Sequence, residues 1–366
     1  MSITKSVKAN GEKVWKAYYR TPDGKSRERW FARKVDAERF LASVTVKKLE
    51  GSYVDPSTGR LHLDIYAREW AARQPWRQST RNHTNSILES HVIATFGHRE
   101  MRSIKPSEVQ AWVGSMMTSG LAPSTVACYF RVMASVMRAA TLDRVIAESP
   151  CRQVRLPRKE TSSSALIPLT SAQVLALADS VDPRFRALVL VSAGLGLRQG
   201  EACGLTLDRV DFLRRKVTID RQMTSVAHTP SALGPVKTEA SNRSLPLADA
   251  LAEVLAEHVR IYRPSPSGLL FTLDSGRPLT RSGWAFRFKR AATELGLSAT
   301  SHDLRHHSAS MLIAAGCSVK AVQHFLGHAT AAETLDTYGH LWADDEDRIR
   351  STIDRAMRAS AVAATA

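Results

Sequence analysis

The stretch Ser301–His340 combines six of the protein's twelve histidines with an arginine and a tyrosine, residue types that suit chemistry on a phosphate group. His302 and Arg305 are three residues apart, so they share one face if a helix begins near His302. His328 and Tyr338 follow, ten residues apart from each other. A guanidinium binds phosphate oxygens through paired hydrogen bonds, and a phenol becomes a nucleophile when a base takes its proton. The spacing therefore predicts a phosphoryl-transfer site in which Tyr338 attacks.

The elements that must position these side chains are short helices. Leu304–Ala315 has the apolar spacing of a helix, and Gly316 is placed to end it. Ser318 is placed to cap a second helix, which stops at Gly327, and Thr330–Thr337 forms a short segment before the tyrosine. The polar groups then lie at the ends of elements, where they can point at a ligand instead of a core.

Two further basic residues lie upstream of this stretch. Gly194–Glu201 reads GLGLRQGE and contains Arg198. Its spacing fits neither a Walker loop nor the GxGxxG of dinucleotide-binding proteins, so the glycines alone do not indicate a nucleotide site. Lys237 lies in a turn-rich stretch between two strand-like runs, Lys216–Asp220 and Ser244–Leu247.

Taken in this order and at these distances, the motifs resemble the tyrosine recombinase or phage integrase family, and residues 165–345 carry the resemblance. The family's pattern is an arginine in an RxGE context, a lysine on a hairpin, an HxxR pair, a histidine or tryptophan, and a tyrosine nucleophile. The matching catalytic positions in this sequence are Arg198, Lys237, His302, Arg305, His328 and Tyr338. Glu201 matches the family's acidic position, which the resemblance implies orients its neighbours without doing chemistry.

The chemistry accounts for these residue types. Attack on a DNA phosphodiester builds negative charge on the nonbridging oxygens, and Arg198 and Arg305 can each donate paired hydrogen bonds to them. A phenol with a pKa of about 10 is protonated at neutral pH, so Tyr338 needs a proton acceptor, for which we predict His302. Because the phosphotyrosine linkage conserves the bond energy, rejoining needs neither ATP nor a metal, and we expect no cofactor.

The departing 5′ oxygen is a poor leaving group unless it is protonated, and Lys237 is the predicted acid. Lys216 is the alternative, because it also lies near a strand. The stretch TEASNRSLPL after Lys237 resembles the return strand of the family's hairpin and favours Lys237. His328 is expected to hydrogen-bond the scissile phosphate.

Two other interpretations have to be weighed. Two pairs of histidines have the i, i+4 spacing that metal ligands use on a helix: His302 with His306, and His324 with His328. No carboxylate lies where a metallohydrolase motif needs one, which counts against a metal site. A large DNA-binding regulator would explain the charge of the protein, but not Tyr338 together with two arginines.

Composition indicates the class of partner. The chain has 366 residues and a formal net charge of +16, so we expect a polyanion, nucleic acid before an anionic membrane. Most of the charge, +13, lies in the first 160 residues. The four cysteines have no CxxC spacing, which predicts reduced thiols. No apolar run spans a membrane and no secretion signal is apparent at the amino terminus, so we expect a cytoplasmic, nucleoid-associated protein of a bacterial host.

The length predicts two or three domains, and the predicted fold class is mainly α with small β-sheets, α+β. The predicted parts are 1–55, an arm-type DNA-binding domain; 61–150, a helical core-binding domain; 151–168, a linker; 169–345, the catalytic domain; and 346–366, a C-terminal helix or tail. The names of these domains follow from the family resemblance, and their boundaries follow from turns and changes in periodicity.

Local patterns predict the elements within the first two domains. Strands are expected at 2–8, 13–20 and 26–32, with a helix at 35–49. The strands carry five aromatic residues that are expected mostly in the core: Trp15, Tyr18, Tyr19, Trp30 and Phe31. Helices are expected at 61–73, 78–95, 106–119 and 123–145, with caps at Ser79, Ser107 and Ser124.

An amino-terminal module of this kind is typical of phage and integrative-element integrases, whereas dimer-resolving recombinases usually lack it. The resemblance thus implies an integrase that joins an element's attachment site to that of a host. It implies double-stranded DNA with core-type and arm-type sites as substrate, and a homotetramer on that DNA. A recombination directionality factor and a host DNA-bending protein are further partners to consider, and a dimer-resolving recombinase is the alternative function.

Overall fold

The structure is a computed structural model that describes residues 1–8, 11–21, 24–49, 53, 58–158, 167–224, 231–342, 350–355 and 357. The chain divides into two compact units, Met1–Glu160 and Thr161–Ala366.

The first unit begins with a three-stranded antiparallel sheet and one helix. Its elements are β1 (Ser2–Val7), β2 (Lys13–Arg20), β3 (Ser26–Phe31) and α1 (Lys34–Leu49). β2 is the central strand, with Lys16 opposite Thr4 in β1 and Trp30 in β3. Gly11 and Gly24, in the two connections, both have positive φ, as hairpin turns require. The three predicted strands and the helix are confirmed.

The core of this sheet is small and contains fewer aromatic rings than the sequence predicts. Val14, Ala17 and Tyr19 of β2 are buried, and Tyr19 packs with Val44 and Tyr53. Of the five aromatic residues only Tyr19 is buried; Trp15, Tyr18 and Phe31 are half-buried, and Trp30 is exposed. A single helix covers only one face of a sheet, so alternate residues of each strand stay in contact with water.

A helical bundle follows. Its helices are α2 (Leu63–Arg73), α3 (Gln78–Ile87), α4 (Ala94–Phe96), α5 (Pro106–Thr118) and α6 (Pro123–Leu142), and a π-helical turn, Leu88–Ile93, joins α3 to α4. All four predicted helical segments are confirmed to within a few residues. The predicted serine caps are wrong: the N-cap residues are Arg77, Lys105 and Ala122. Prolines at the first position of α5 and α6 start those helices just before the serines.

The first residues after the bundle pack against it. Cys151 is buried in the bundle core, and Val154 packs against that core. The Gln110 side chain then holds the backbone of Arg155, accepting from its nitrogen at 2.8 Å and donating to its oxygen at 3.1 Å. Most of the rest of the predicted linker, residues 159–166, lies outside the described residues.

The second unit is mainly helical. Its helices are α7 (Ser171–Ser180), α8 (Pro183–Leu195), α9 (Gln199–Cys203), α10 (Asp249–Ile261), α11 (Arg281–Glu294), α12 (Asp303–Ala314), α13 (Val319–Leu326) and α14 (Ala331–Tyr338). Its strands are β4 (Val210–Asp211), β5 (Lys216–Ile219), β6 (Arg221–Thr224), β7 (Ala232–Pro235) and β8 (Arg243–Pro246). Buried apolar residues of α7, α8, α10 and α11 form the main core.

The strands form two small antiparallel sheets. One has the order β4-β5-β8, and the other is the hairpin β6-β7, inserted between β5 and β8. The two predicted strand-like runs are β5 and β8. The inserted hairpin was not predicted, because Gly234 and Pro235 in β7 interrupt the strand pattern.

The carboxy-terminal part is described only in pieces. Residues 350–355 and 357 are helical, and Ile353 and Met357 are exposed. Ile349, a third member of the predicted apolar stripe, lies outside the described residues. All four cysteines are free. Within the ranges that the structure describes, no helix is both long and apolar enough to cross a membrane.

Candidate active site

Arg305 is held by the glycine that ends α8. Gly196 has φ +60°, and its carbonyl oxygen accepts a hydrogen bond from Nη1 of Arg305 at 2.7 Å. A Cβ at this glycine would lie 2.8 Å from Leu326 and 3.1 Å from Ser308. Both the positive φ and the close approach therefore require glycine here.

Arg198 is the N-cap residue of α9, and Glu201 lies three residues further on. The backbone nitrogen of Arg198 donates to Glu201 Oε2 at 3.0 Å, and its Nη1 donates to Glu201 Oε1 at 3.0 Å. Nη1 also donates to Ser241 Oγ at 3.0 Å, and Nη2 donates to the carbonyl oxygen of Gly327 at 2.8 Å. The RxGE motif thus fixes the first arginine from both ends, while 27% of its side chain remains exposed.

Gly327 ends α13 with φ +67°. A Cβ there would lie 3.0 Å from both Ala240 and Arg243. Two helix-ending glycines, Gly196 and Gly327, therefore supply the carbonyl oxygens that hold the two arginines predicted to bind phosphate.

Arg243 is a residue of the site that the sequence analysis missed. Its side chain is fully buried and donates to both carboxylate oxygens of Glu201, at 3.0 and 3.3 Å. Its Nε donates to the carbonyl oxygen of Phe325 at 2.8 Å. Burial alone would raise the pKa of Glu201, but the Arg243 and Arg198 guanidiniums and their hydrogen bonds lower it overall. Arg243 shares the alternation of Leu245 and Leu247, which are both buried, and an arginine in this alternating pattern was the signal that could have identified it.

One guanidinium nitrogen of Arg305 is buried and unsatisfied. The residue is 1% exposed, and its Nη2 has no hydrogen-bond partner among the described residues. Burial and the nearby positive charge of Arg198 lower the pKa of Arg305. Binding of an anion lowers the free-energy cost of this arrangement. The anion offsets the positive charges of Arg305 and Arg198, and it accepts a hydrogen bond from Nη2.

The Tyr338 hydroxyl meets a different histidine from the predicted one. Nδ1 of His306 lies 2.7 Å from the phenol oxygen, whereas no hydrogen bond joins His302 to it among the described residues. His302 is the exposed N-cap residue of α12, and His306 lies one turn further into the helix. The rings of the two histidines are 4.7 Å apart, edge to face.

Tyr338 is enclosed by a small apolar cluster. It is 1% exposed and packs with Ala309, Ile313, Val322 and Leu326. Burial raises the pKa of Tyr338 to about 12, although the nearby arginine charges act to lower it. The phenol is therefore protonated at neutral pH, and it must become accessible before it can attack.

His328 lies beside the tyrosine. Its ring is nearly parallel to that of Tyr338, at an interplanar angle of 10° and a centroid distance of 6.4 Å. Nδ1 is 2.8 Å from Thr334 Oγ1, and Nε2 is 3.8 Å from a carboxylate oxygen of Glu333. Burial and the charge of Arg305 lower the pKa of His328, so the imidazole is neutral at pH 7. When Thr334 donates to Nδ1, Nε2 carries the hydrogen and can donate it to a phosphate.

Lys237 stands apart from the other predicted residues. It lies on the bend just after β7, is exposed, and forms no hydrogen bond or ion pair with another described residue. The same loop reaches the site through Thr238, whose hydroxyl is 2.8 Å from that of Ser241, the partner of Arg198. Lys216, the alternative acid, is exposed at the start of β5.

The histidine pairs do not assemble into a larger ligand set. Across the parts of the chain that the structure describes, no three His, Cys, Asp or Glu side chains are grouped so as to hold a metal ion. His302 and His306 are close, but His306 is engaged by Tyr338, and His328 by Thr334.

Comparisons with known proteins extend over both units. Residues 168–344 match the phage integrase family, and residues 63–117 match the phage integrase N-terminal SAM-like domain. The integrase of Mycobacterium phage L5 is 25% identical over 311 residues, which cover 81% of this chain and 82% of that protein.

Solved structures show the same fold. The Tn1549 transposon integrase in complex with transposon right end DNA matches with a TM-score of 0.71 at 21% identity, covering 81% of this chain and 100% of that chain. A lambda integrase tetramer bound to a Holliday junction matches with a TM-score of 0.58 at 18% identity, covering 90% of this chain and 96% of that chain.

Fold and family together define a site-specific tyrosine recombinase, an enzyme that cuts and rejoins DNA to integrate a phage or mobile element. The chain belongs to the phage integrase family. The predicted fold class and the resemblance are both confirmed.

Proposed function

We propose that this recombinase integrates and excises its element through a covalent 3′-phosphotyrosine at Tyr338. The proposal is carried by the buried Nη2 of Arg305, which has no partner within the described part of the chain, at a site that also holds Arg198 and a tyrosine. A buried donor without a partner is costly in a folded protein, and a phosphate oxygen would satisfy it.

The two arginines bind the nonbridging oxygens of the scissile phosphate. Arg198 keeps part of its guanidinium exposed while Glu201 and Gly327 fix its position, so it is oriented before DNA arrives. Oriented donors gain most where charge develops, in the pentavalent transition state, and they need no reorganisation at that moment. His328 donates a further hydrogen bond to the same phosphate.

Protons move at both ends of the reacting bond. Tyr338 must lose its proton as it attacks phosphorus. His302 takes part in the transfer of this proton away from the phenol. The 5′ oxygen must gain a proton as it leaves, and we assign Lys237 this role because its side chain is exposed on a loop anchored to the site through Ser241.

The proposed partner is double-stranded DNA bound by several protein parts. Residues 61–150 and the catalytic unit would hold a core-type site, and residues 1–55 would hold an arm-type site. The high charge of the first 160 residues supports this division. A homotetramer is proposed because strand exchange joins two duplexes, each cut on both strands, and a related lambda integrase forms a tetramer on a Holliday junction.

Strand exchange conserves the number of phosphodiester bonds, so the reaction by itself does not favour integration over excision. Binding partners must then set its direction, and a recombination directionality factor and a host DNA-bending protein are the partners we propose. Because the substrate is DNA, we propose that the protein acts at the bacterial nucleoid.

The test is a nicked duplex that carries the core site and loses a short 5′-hydroxyl fragment on cleavage, so that rejoining cannot occur. Wild-type protein should form an adduct that survives denaturing electrophoresis, and it should do so in excess chelator without nucleotide. Tyr338→Phe should form none, because it lacks the attacking oxygen, while the matched control Tyr262→Phe should react normally. Peptide mapping should place the 3′ phosphate on residue 338. An adduct formed by Tyr338→Phe would overturn the assignment, and a requirement for zinc would favour the histidine metal site.

A further inference from the structure

His306 is positioned to do chemistry that the predicted catalytic set does not include. It lies on α12 one turn after His302, and its Nδ1 is 2.7 Å from the phenol oxygen of Tyr338. The two ring centroids are 5.5 Å apart, at an interplanar angle of 65°. The contact joins residues 32 positions apart, on different helices, through the atom that has to attack phosphorus.

Two properties govern this hydrogen bond, namely the charge states of its two groups and the tautomer of His306. Burial, the neighbouring His302 and the Arg305 guanidinium lower the pKa of His306 to about 4, although Asp303 acts to raise it. Burial raises the pKa of Tyr338 to about 12. Both groups are neutral at pH 7, and in the tautomer with its hydrogen on Nε2 the imidazole accepts the phenol O–H at Nδ1.

We propose that His306 is a further catalytic residue, the group that accepts the proton of Tyr338 as its oxygen attacks the scissile phosphate. His302, whose ring lies 4.7 Å from that of His306 and is exposed, then acts as the second member of the path and passes the proton to solvent. This inference rests on the proposed function of Tyr338 as nucleophile.

The pKa difference explains why the proton stays on the tyrosine until DNA is bound. Transfer from a phenol to a much less basic imidazole is strongly uphill in the free protein, so no reactive phenolate accumulates. The O–H becomes acidic only as the O–P bond forms. The phosphate charge then favours an imidazolium beside it. A base that takes the proton in the transition state is a general base, and such a group contributes roughly 10²–10⁴-fold to rate.

The proton balance closes in both directions. On cleavage, the bond between Tyr338 Oη and phosphorus forms, and the phenol proton moves to His306 Nδ1. The bond between phosphorus and the 5′ oxygen breaks, and Lys237 supplies the proton that this oxygen needs. On rejoining, the incoming 5′ hydroxyl returns a proton to the lysine. The leaving phenolate takes a proton from His306, which regains it from solvent through His302. No oxidant, metal or nucleotide is consumed.

A purely structural role for His306 predicts different behaviour. If the imidazole only holds the phenol in place, glutamine should replace it, because its side-chain oxygen can accept the same hydrogen bond. Glutamine cannot take a proton at neutral pH. The contrast between His306→Gln and wild-type protein therefore separates hydrogen bonding from proton transfer.

The experiment measures single-turnover cleavage of the nicked duplex at saturating protein, so that DNA affinity does not enter the rate. His306→Gln should cleave about 100-fold or more slowly with an unchanged Kd, and His306→Ala should recover in part when imidazole is added. The matched control His324→Gln changes an exposed histidine of α13 and should cleave at the wild-type rate. Thermal unfolding of each variant verifies that it is folded.

A second measurement changes the acidity of the phenol. Fluorotyrosine at position 338 has a more acidic phenol, which depends less on a base. The ratio of wild-type to His306→Gln rates should therefore shrink when position 338 carries fluorotyrosine. If the ratio is the same with both phenols, His306 only positions the tyrosine, and the proposal is overturned.

The remaining outcomes separate this inference from the function on which it rests. Wild-type cleavage by His306→Gln overturns the role of His306 and leaves Tyr338 as the nucleophile. Failure of the wild-type protein to form any adduct overturns the nucleophile assignment itself, and the inference falls with it.

Discussion

Arg243 and Glu201 form a two-point ion pair inside the catalytic unit, with N–O distances of 3.0 and 3.3 Å and side chains exposed by 0% and 2%. The same carboxylate binds Arg198 at 3.0 Å. Glu201 therefore connects a buried structural arginine to one that is predicted to bind phosphate. Removal of either partner of such a pair leaves a buried charge uncompensated.

Arg243→Met should lower the free energy of unfolding by about 3–5 kcal/mol, because Glu201 would lose the charge that offsets its burial. Denaturant unfolding of the purified protein measures this change. Arg214→Met is the matched control: Arg214 is 83% exposed and 3.7 Å from Asp211, so its loss should cost less than about 1 kcal/mol. Equal effects of the two substitutions would contradict the structural role of Arg243.

The stability contribution of Glu201 should depend on pH in a defined direction. Its pKa is lowered in the folded protein, whereas an unfolded glutamate has a pKa of about 4.3. The stabilisation is therefore complete above about pH 4.3 and is lost as the pH falls through the lower, folded value. Unfolding of wild-type protein and Glu201→Gln, compared between pH 7 and pH 3, should show a stability difference that shrinks at the acidic end. A difference that grows there would reverse the sign of the pKa shift.

Arg198→Lys should reduce the cleavage rate roughly 10²–10³-fold, the cost expected for one lost transition-state donor of about 2.7–4 kcal/mol. Lysine keeps the charge but cannot reach the phosphate, Glu201 and Gly327 at once as the planar guanidinium does. DNA affinity should fall far less, which gel-shift titration at fixed salt will show. Equal losses in binding and cleavage would mean that this arginine contributes to DNA binding and not to catalysis. Arg305→Lys should behave in the same way.

Lys237→Ala should fail on ordinary DNA and recover on a substrate whose bridging 5′ oxygen is replaced by sulfur. A thiolate leaves without a proton, so the substitution removes the need for an acid and for nothing else. Lys216→Ala is the control and should cleave both substrates at the wild-type rate. Rescue of Lys216→Ala by sulfur, without rescue of Lys237→Ala, would transfer the role of the acid to Lys216.

Residues 1–55 should bind a DNA sequence different from the one held by the rest of the chain. The sheet and α1 have their own small core around Tyr19 and Val44, separate from the core of the bundle. A tethered second module raises its own local concentration on DNA, so recombination should depend on it more than core cleavage does. Footprints of the full chain and of a protein that begins at Leu61 will show whether extra bases are protected.

If both proteins protect the same bases and recombine equally well, the arm-binding role is wrong, and a dimer-resolving recombinase becomes the better description. If DNA binding by residues 1–55 depends steeply on salt and shows no sequence preference, this part is instead a nonspecific, basic DNA-binding segment.

The sequence by itself determined most of the local elements and indicated candidate members of the site, although it missed Arg243 and the hairpin β6-β7. Ser318 caps α13 as predicted, accepting a hydrogen bond from the backbone nitrogen of Ala321, and Gly327 ends α13 in the left-handed conformation. Capping and apolar periodicity depend on residues within a few positions of each other, so they can be read along the chain. The identities of Arg198 and Tyr338 follow from motifs of the same local kind.

Only the tertiary structure decided which of these groups meet. Arg305 bonds to a carbonyl oxygen 109 residues away, Arg243 to a carboxylate 42 residues away, and Tyr338 to His306 instead of His302. No local pattern specifies such pairs, because they depend on how elements far apart in the sequence pack against each other. The choice between His302 and His306, one helical turn apart on α12, depends on where α14 places a single phenol oxygen, and packing alone determines that position.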